Sequence, residues 1–471
     1  MSQQQKQGRS DAPQKRVVAP ILMYAEKLRS ERKPDEALRV VSEHLNEHFD
    51  DVPALVLASH ILIDSERIGL AHALSKLAAQ MWPDESICWN NLGICYQKAW
   101  KLEDAERCFL KALSRDKDDP LALCNLSYVY LEMGLYDKAL SCADKAIKLD
   151  PKVPEGRYNR GVALLAMRKW KEGWEGYEYN LGKHQGRRER VYGTVPRWTG
   201  VNGLKIIAYG EQGIGDEISF ASCIPDLQAE NEVIIECDHR LEGLFRRSFG
   251  CKVYGTLREK KPVGWFHEEK PDATVAMGSL PGFYRTTDES FPGSPYLVAD
   301  PQRRLQWRAL LDSIDGRKKI GIAWTGGIKR TGDKKRSLEL DDLEPILRQD
   351  ATFVSLQYKD APEVEDFYLR KGIKVHHWKH ATQTQDYDDT TALVAELDLV
   401  ITVQQTAVHI AGALGVPCWA MIPRHPLWRY GVTGDTLPWA KSVKLYRQKG
   451  DWVHTIADVA TDLRNMVQGR A

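Results

Sequence analysis

The stretch that decides the fold is LDLVITVQQTAVHIAGALGVPCWAMIP, residues Leu397–Pro423. Two apolar runs of strand length, Leu397–Val403 and Val416–Ile422, flank a helix that the pattern predicts over Ala407–Leu414. This order is half of a βαβ unit, in which the carboxyl end of a strand meets the free N–H groups of a helix. Such a point can hold an anionic group, most often a phosphate, although a crossover that binds nothing has the same pattern.

Length and charge limit the classes of protein to consider. The chain has 471 residues, of which 43% are hydrophobic, enough for about three domains of ordinary size. Its 66 Lys and Arg balance 65 Asp and Glu, so no overall charge draws it to nucleic acid or to an anionic membrane. Nucleic acid is therefore not expected as the main partner.

Cysteine use and the first residues bear on location. The nine cysteines are odd in number and form no CxxC pair, which indicates reduced core thiols in a cytoplasmic protein. Residues 1–18 carry basic side chains but no apolar leader segment, and they predict a disordered arm. No later apolar run is long enough to span a bilayer.

Small residues recur every 34 positions in the first third of the chain, which is the step of the tetratricopeptide repeat. The three series are Ala37, Ala71, Ala105 and Ala139; Ala25, Ser59, Gly93, Ser127 and Gly161; and Ala78, Ala112 and Ala146. Paired helices need small residues where they cross closely. We predict helical repeats over residues 19–185, which either bind a partner protein or peptide on a concave surface or act as a spacer.

A polar and basic segment, residues 186–203, follows the repeats and is predicted to link them to the next domain. It begins with the arginines Arg187, Arg188 and Arg190. Such a cluster is expected in a solvated loop, with guidance of an anionic substrate as the alternative.

From Leu204 onward, strands alternate with helices, a pattern typical of parallel sheets. The predicted strands are LKIIAYG, EVIIECD and DATVAMGSL, followed by KKIGIAWTGG, TFVSLQ, GIKVHHW, LDLVITV, VPCWAMIP and SVKLYRQ. They form two Rossmann-like halves, residues 204–300 and 301–471. Two such halves facing each other form a cleft, which is where ligands of this architecture bind.

The turn GEQGIGDE after the first of these strands carries candidate catalytic residues. Gly213 and Gly215 let the backbone approach a substrate closely. Asp216 lies at the start of the helix, where it is a candidate general base for a hydroxyl acceptor, although a helix-capping role is equally available to it. Glu211 and Glu217 are weaker candidates for the same role.

In the second half, Thr325 and Gly326 end a strand and precede the basic loop IKRTGDKKRS. Basic residues at this point can offset the charge of a departing diphosphate without a metal ion. Arg336, which precedes Ser337, is the preferred residue. The lysines and arginine Lys329, Arg330, Lys334 and Lys335 can also belong to a solvated loop.

The sequence HHWKH, with His376, His377 and His380, does not predict a metal site. Adjacent residues of a strand point to opposite faces, and no acidic residue or cysteine lies nearby at ligand spacing.

From about Trp170 onward, the chain resembles bacterial tetratricopeptide proteins fused to a heptosyltransferase-like module of glycosyltransferase family 9, which has the GT-B fold. The segments that carry this resemblance are WEGYEYN, PRWTG, GLKIIAYGEQGIGDEISF, IGIAWTGG, RSLEL, FVSLQ, DDTTALVAELDLVITV, TAVHIAGALGVPCWAMIP and VKLYRQKGDW. The arrangement of repeats before a GT-B module is also similar to that of the O-linked N-acetylglucosamine transferases.

The resemblance implies inverting transfer of a sugar from a nucleotide-sugar donor, without a metal ion or another cofactor. Asp216 matches the aspartate that the resemblance implies as the base, His409 lies on the helix that matches the donor's phosphate site, and Gln357 matches a strand end that lines the donor site. Relatives usually carry an aspartate at the position of Gln404. Because an amide both donates and accepts hydrogen bonds, the identity of the donor cannot be carried over.

We therefore expect an α + α/β protein, a tetratricopeptide α-solenoid followed by a GT-B type pair of Rossmann-like domains, that acts as an inverting glycosyltransferase. Its expected partners are the nucleotide-sugar donor and a protein, peptide or glycan acceptor held by the repeats. The alternative is an inactive scaffold protein. The candidate residues are Asp216 and Arg336 for catalysis, and Gly213, Gly215, Thr325, Gly326, Gln357, Gln404, Gln405, Thr406 and His409 for the donor.

Overall fold

The computed structural model describes residues 20–183, 186–257, 264–327, 332–358, 361–382 and 386–470. The predicted N-terminal arm, residues 1–18, lies outside the described residues. The chain divides into two compact units, Met1–Val129 and Tyr130–Ala471.

The first unit is helical throughout its described residues. Its helices are α1 (Pro20–Ser30), α2 (Pro34–Glu47), α3 (Val52–Asp64), α4 (Ile68–Met81), α5 (Ser86–Lys98), α6 (Leu102–Arg115) and most of α7 (Pro120–Glu132). Small residues allow successive helices to cross closely, as the 34-residue step predicts. A Cβ atom on Gly93 of α5 would lie 2.6 Å from the Phe109 ring of α6, and the alanines of the first series, Ala37, Ala71 and Ala105, are fully buried.

The second unit begins with three more helices, α8 (Tyr136–Leu149), α9 (Pro154–Ala166) and α10 (Trp170–Tyr177). At the crossing of α9 and α10 two glycines face each other. A Cβ atom on Gly161 would lie 2.7 Å from the backbone of Gly176, and one on Gly176 would lie 2.6 Å from Gly161 Cα. The aromatic side chains of α10 then turn inward, and Trp170, Trp174 and Tyr177 are buried in the core of the second unit.

A parallel sheet of four strands follows, in the order β3-β2-β1-β4. Its elements are β1 (Lys205–Tyr209), α11 (Ile214–Ala221), α12 (Ile224–Gln228), β2 (Glu232–Asp238), α13 (Glu242–Phe249), β3 (Lys252–Thr256), α14 (Trp265–Glu269), β4 (Ala273–Ala276) and α15 (Pro281–Tyr284). The strands are nearly continuous apolar runs because helices cover both faces.

The second sheet has the order β10-β11-β9-β8-β5-β6-β7 in the described residues, parallel except for the antiparallel edge pair β10–β11. Its elements are α16 (Pro301–Asp312), β5 (Lys319–Ala323), α17 (Asp333–Arg336), α18 (Glu344–Leu347), β6 (Thr352–Ser355), α19 (Glu363–Lys371), β7 (Val375–His376), α20 (Lys379–Thr382), α21 (Asp388–Val394), β8 (Leu399–Val403), α22 (Thr406–Leu414), β9 (Cys418–Ile422), β10 (Thr436–Leu437), β11 (Ala440–Arg447) and α23 (Trp452–Val467). Residues Leu397–Pro423 therefore contain β8, α22 and β9, as predicted, and Gly415 ends α22 with a positive φ of 76°.

The helical repeats followed by parallel sheets confirm the coarse fold prediction. Two strands were not predicted, namely β3 and the two-residue β10. One apolar core joins the faces of both sheets with α10, α11 and α22, and a second core lies on the other face of the seven-stranded sheet. The two sheets are thus parts of one packed body within the second unit.

The glycine crossing of α9 and α10 yields a stability prediction. We expect Gly161→Ala to lower the free energy of unfolding by roughly 2 kcal/mol, because the added methyl meets backbone that cannot move aside like a side chain. The matched control is Gly69→Ala in α4, where a Cβ meets nothing within 4 Å. It should be neutral or stabilising by up to about 1 kcal/mol. Urea unfolding followed by circular dichroism measures both, and equal effects of the two substitutions would contradict this packing.

Candidate functional site

Each sheet has a point where the direction of strand addition reverses. In the first sheet β1 lies between β2 and β4, and in the second β5 lies between β6 and β8. Ligands of open parallel sheets bind outside the carboxyl ends of the strands at such points. The predicted donor-binding residues follow β1, β5, β6 and β8, so the candidate site joins both reversal points.

At the second sheet, Gln357 shapes the end of β5. Its side-chain oxygen accepts hydrogen bonds from the N–H groups of Trp324 at 3.3 Å and Thr325 at 3.4 Å. Its amide nitrogen donates to Thr325 Oγ1 at 2.8 Å. The structure thus brings Gln357 and Thr325 together, and uses the Gln357 amide to fix the backbone after β5.

The chain after β5 also contacts the turn after β8. The Gly326 N–H donates to Ser337 Oγ at 3.0 Å, and a Cβ atom on Gly326 would lie 2.6 Å from the Gln404 carbonyl oxygen. Only glycine fits this approach. The Arg336 guanidinium packs against Gly327, and both Arg336 and Gln404 are buried.

The turn after β8 starts α22. Gln405 is the residue before the helix, and its side chain donates to Thr402 Oγ1 at 3.1 Å instead of capping the helix. Thr406 is the first residue of the helix and is half-buried. The free N–H groups of the first turn of α22 are therefore not capped by Gln405.

At the first sheet, Asp216 has two partners. Its Oδ2 accepts from the Gly213 N–H at 3.1 Å, which closes the first turn of α11, and its Oδ1 pairs with the Arg429 guanidinium. Arg429 lies on the short 3-10 turn Trp428–Tyr430 and is buried. Although burial opposes its charge, Asp216 raises the pKa of Arg429. The helix-capping role considered for Asp216 is thus present in the structure.

The N-terminal ends of α11 and α22 pack directly on each other. A Cβ atom on Gly215 would lie 3.3 Å from Thr406 Oγ1 and from the His409 ring. Ser219 Oγ donates to the Gly215 carbonyl at 2.8 Å and lies 2.9 Å from His409 Nδ1. Since the hydroxyl proton is used on Gly215, His409 Nδ1 must donate to Ser219, which leaves Nε2 to accept from the Tyr430 hydroxyl at 3.4 Å. His409 therefore lies in the contact between the two sheets as a neutral ring.

The site carries more positive than negative charge. Arg336 and Arg429 are both buried and close enough to affect each other's charge, because burial and Arg429 lower the pKa of Arg336. Asp216 is the carboxylate that pairs with Arg429. Among the hydrogen bonds of the described residues, Gln404 Nε2 and Arg429 Nε are buried and have no acceptor. An unused donor on a buried amide and another on a buried guanidinium suit an anionic ligand.

Several other predicted residues lie elsewhere or cannot be placed. Lys329 and Arg330 lie outside the described residues, and the side chain of Lys334 is also not described. Lys335 pairs with Glu132 at 3.7 Å. The two weaker candidate bases are engaged in the core, since Glu211 accepts from Arg187 and Glu217 accepts from the Asp238 N–H at 2.9 Å.

The prediction of a solvated arginine loop is wrong for two of its three members. Arg187 is buried and donates to Glu211 at 3.1 Å and Glu178 at 2.7 Å. Arg190 is buried against Glu236 of β2, whereas Arg188 is exposed as predicted. These two arginines are buried because the buried carboxylates of Glu211 and Glu236 need a positively charged partner.

The HHWKH segment is partly stacked on aromatic rings. His380 stacks on Trp307 with ring centroids 5.0 Å apart, and His376 stacks on Trp378 at 5.6 Å. Across the described ranges, no three His, Cys, Asp or Glu side chains converge as metal ligands.

Sequence reasoning missed Arg429, although it is the charged partner of Asp216. The two residues are 213 positions apart, and Arg429 follows no strand or glycine turn that would mark it. Its neighbours Trp428 and Tyr430 are buried, and such a cluster of aromatic residues around one arginine was the available signal.

The buried His409 makes stability depend on pH. Burial, together with the Arg429 charge, lowers the pKa of His409 to about 3, from an ordinary value of 6.5. Below pH 6.5 the unfolded chain takes up a proton that the folded chain refuses, so the free energy of unfolding falls as pH falls, by up to about 1.4 kcal/mol per pH unit. We expect His409→Gln to remove this component between about pH 6.5 and pH 4, as measured by urea unfolding at each pH. His454→Gln, at an exposed site, should retain the original slope, and equal slopes for the two variants would refute the assignment.

Comparison with known proteins identifies the helical part. Residues 86–119 and 120–153 match the tetratricopeptide repeat model. Protein FlbA of Caulobacter vibrioides is 28% identical over 456 residues, which are 92% of this chain and 76% of that protein. Hsp70-Hsp90 organizing protein 2 of Arabidopsis thaliana is 29% identical over 96 residues, 20% of this chain and 17% of that protein.

Among solved structures, the chain is similar to a thermophilic tetratricopeptide protein of Thermus thermophilus. The identity is 20%, the match covers 34% of this chain and 87% of that one, and the TM-score is 0.31. None of the described helices has both the length and the apolar character that a bilayer span requires. The repeat model matched at residues 86–153 and the helices of the structure together show that the chain starts with a helical repeat solenoid of the tetratricopeptide type, which a region of parallel sheets follows.

Proposed function

We propose that the chain is a protein-binding scaffold whose tetratricopeptide repeats hold a peptide segment of a partner protein. The observation that carries this proposal is a row of side chains on the first helices of two successive repeats. Ile87 of α5 and Leu121 of α7 are 34 positions apart and are 44% and 56% exposed. The same two helices are also joined by an amide pair, in which Asn125 Nδ2 donates to Asn90 Oδ1 at 3.0 Å.

This row suits a peptide better than a charged polymer. Ile87 and Leu121 offer apolar anchors at a regular step, and the amides Asn90 and Asn125 can both donate to and accept from a peptide backbone. The likeness of the repeats to Hsp70-Hsp90 organizing protein 2, whose name describes organisation of other proteins, supports the same class of function. Near-zero net charge gives no support for nucleic acid.

A displayed random-peptide library tests the scaffold proposal. We expect the full chain to enrich peptides with spaced apolar residues, and Ile87→Asp/Leu121→Asp to weaken binding of an enriched peptide by at least roughly 30-fold in fluorescence anisotropy, because both anchors are lost. Leu110→Asp, at a similarly exposed site on α6, is the matched control and should bind as the original chain does. Enrichment that survives the double substitution would locate binding elsewhere.

A second function is proposed for the paired sheets, namely that they form a GT-B module of the glycosyltransferase family 9 type. The specific observation in its favour is the buried set of donors beside α22, in which Gln404 Nε2 and Arg429 Nε have no acceptor among the described residues. A nucleotide-sugar diphosphate has the charge and the acceptor oxygens that these groups lack. The first N–H groups of α22, which Gln405 does not cap, are further donors that an anion can use.

In the proposed sugar transfer, each group has one role, and the bond that forms is matched by a bond that breaks. Asp216 takes the proton of the acceptor hydroxyl while that oxygen attacks the anomeric carbon, and the bond from this carbon to the diphosphate oxygen breaks. The diphosphate leaves with the bonding electrons and is neutralised by Arg336, Arg429 and the start of α22. Asp216 can act as a base only after its pair with Arg429 opens, and a diphosphate that engages Arg429 provides such an opening.

The pair of Asp216 with Arg429 also favours the inactive scaffold, because a carboxylate engaged by a buried arginine is not free to contact an acceptor hydroxyl. The amide at Gln404, where the resemblance to glycosyltransferase family 9 implies a carboxylate, also favours the scaffold. All nine cysteines are free thiols, and a cytoplasmic setting belongs to either form of the proposal.

Release of nucleoside diphosphate, measured with a panel of nucleotide sugars, distinguishes an active transferase from an inactive scaffold. For an active module we expect release with at least one donor, and a loss of roughly 100-fold or more in Asp216→Ala. That substitution also leaves Arg429 buried without its partner, at a cost of about 3 kcal/mol. Arg429→Met/Asp216→Ala should restore the melting temperature but not the release. No release and no thermal shift with any donor would leave the scaffold alone.

A further inference from the structure

The outward face of α4 differs from the same face of the other second helices of the repeats, α2, α6 and α8. Leu70, Leu77 and Met81 of α4 are 62%, 51% and 48% exposed. The residues 34 positions before and after them are mostly charged: Glu36, Asp104 and Lys138 at the position of Leu70, Glu43, Lys111 and Lys145 at that of Leu77, and Glu47, Arg115 and Leu149 at that of Met81. The core of α4 has small residues like its neighbours, so only its outer surface has changed.

The apolar residues Leu70, Leu77 and Met81 of α4 lie on one face of the helix, together with the edge of the partly buried Leu74. Arg67 precedes α4 and Asp84 follows it, in the turn after the helix ends at Met81. We call these six residues the α4 stripe. The stripe is thus an apolar seam with a positive charge before it and a negative charge after it. A seam of this kind is typical of packing between two helices.

We propose that the α4 stripe is a self-association surface, on which α4 of one copy packs antiparallel against α4 of a second copy. The order of residues in the stripe is symmetric about a point between residues 75 and 76. A two-fold axis at that point places Leu70 opposite Met81 of the second copy, and Leu74 opposite Leu77. It also brings Arg67, at the start of one helix, to the end of the second helix, which Asp84 follows.

Charge complementarity selects this occupant and this direction. In a two-fold contact the same patch serves both copies, so each residue must suit its counterpart across the axis. The antiparallel arrangement pairs Arg67 with Asp84 twice, whereas a parallel arrangement would place like charges together at both ends. Between the ends, Lys76 is the charged residue of α4, and it does not belong to the stripe.

Both end charges are available for such a contact. Arg67 pairs with Asp35 at 2.7 Å and Asp84 pairs with Arg115 at 3.4 Å, but all four side chains are exposed. Exposed pairs contribute little stability, so a guanidinium can add or exchange a carboxylate at small cost.

Sedimentation equilibrium of the full chain tests the proposal. We expect a dimer whose dissociation constant rises by roughly 100-fold or more in Leu70→Glu/Leu77→Glu, because four carboxylates then meet in the seam. The control is Leu110→Glu on α6, exposed to 47%, which should leave the dissociation constant unchanged. Circular dichroism melting of each variant shows that the fold is kept.

A charge exchange distinguishes the antiparallel contact from any other use of the stripe. Arg67→Asp and Asp84→Arg should each weaken the dimer by roughly 10-fold, because each sets like charges opposite each other. Mixed in equal amounts, the two variants should form a heterodimer of about the original affinity, since an acidic pair in one chain then faces a basic pair in the other.

Three results would overturn the proposal. The chain could be a monomer up to about 100 μM. The dimer could persist in Leu70→Glu/Leu77→Glu, which would place its interface elsewhere. The mixture of Arg67→Asp and Asp84→Arg could fail to regain affinity, which would exclude the antiparallel register. A monomer whose stripe instead captures another protein belongs to the first result.

Discussion

The second unit depends on the contact between the N-terminal ends of α11 and α22. Gly215 has no side chain to hold the helices apart, and His409 fills the contact with a ring that donates to Ser219 and accepts from Tyr430. A protonated ring could not accept from Tyr430, and it would add a cation beside Arg429. Burial therefore keeps His409 neutral. The neutral ring links α11, through Ser219, to the turn that carries Tyr430.

This contact brings opposing charges to one place. Burying Arg429 is costly, and Asp216 offsets part of that cost. Arg336 adds a second buried cation, so two arginines face one carboxylate and these three side chains together are electropositive. An anion at the start of α22 would compete for Arg429 and release Asp216, whereas without an anion the two residues hold each other. In the proposed transferase an anion engages Arg429 and frees Asp216, whereas in the proposed scaffold the pair of Asp216 and Arg429 stays closed.

Local patterns in the sequence were sufficient to predict most helices and strands, but not to predict which charged side chains pair with each other. The apolar runs of β1, β2, β5 and β8 and the glycine after α22 are strong signals because they reflect burial and backbone conformation of nearby residues. The strand β3 was missed because KVYGT is short and contains a glycine. Arg187 and Arg190 were predicted to be solvated because their buried carboxylate partners lie further along the chain, Glu211 in the turn after β1 and Glu236 in β2. The site residues after β5, β6 and β8 could be grouped by topology, while Arg429 could not, since no local pattern records a partner 213 residues away.

In the repeats, residues that keep the 34-residue step and residues that depart from it indicate different features of the structure. Where small residues hold the step, as at Ala71 and Ala105, they report the crossing of helices and nothing specific to one repeat. Solvent-facing positions are free to vary, and in α2 and α6 they carry charges that keep the surface wet. Three apolar residues on α4 at those positions therefore cannot be explained by the packing of the repeat itself. The proposed self-association accounts for them, because a second copy of α4 covers these residues, and the opposite charges at the two ends of the stripe favour an antiparallel arrangement.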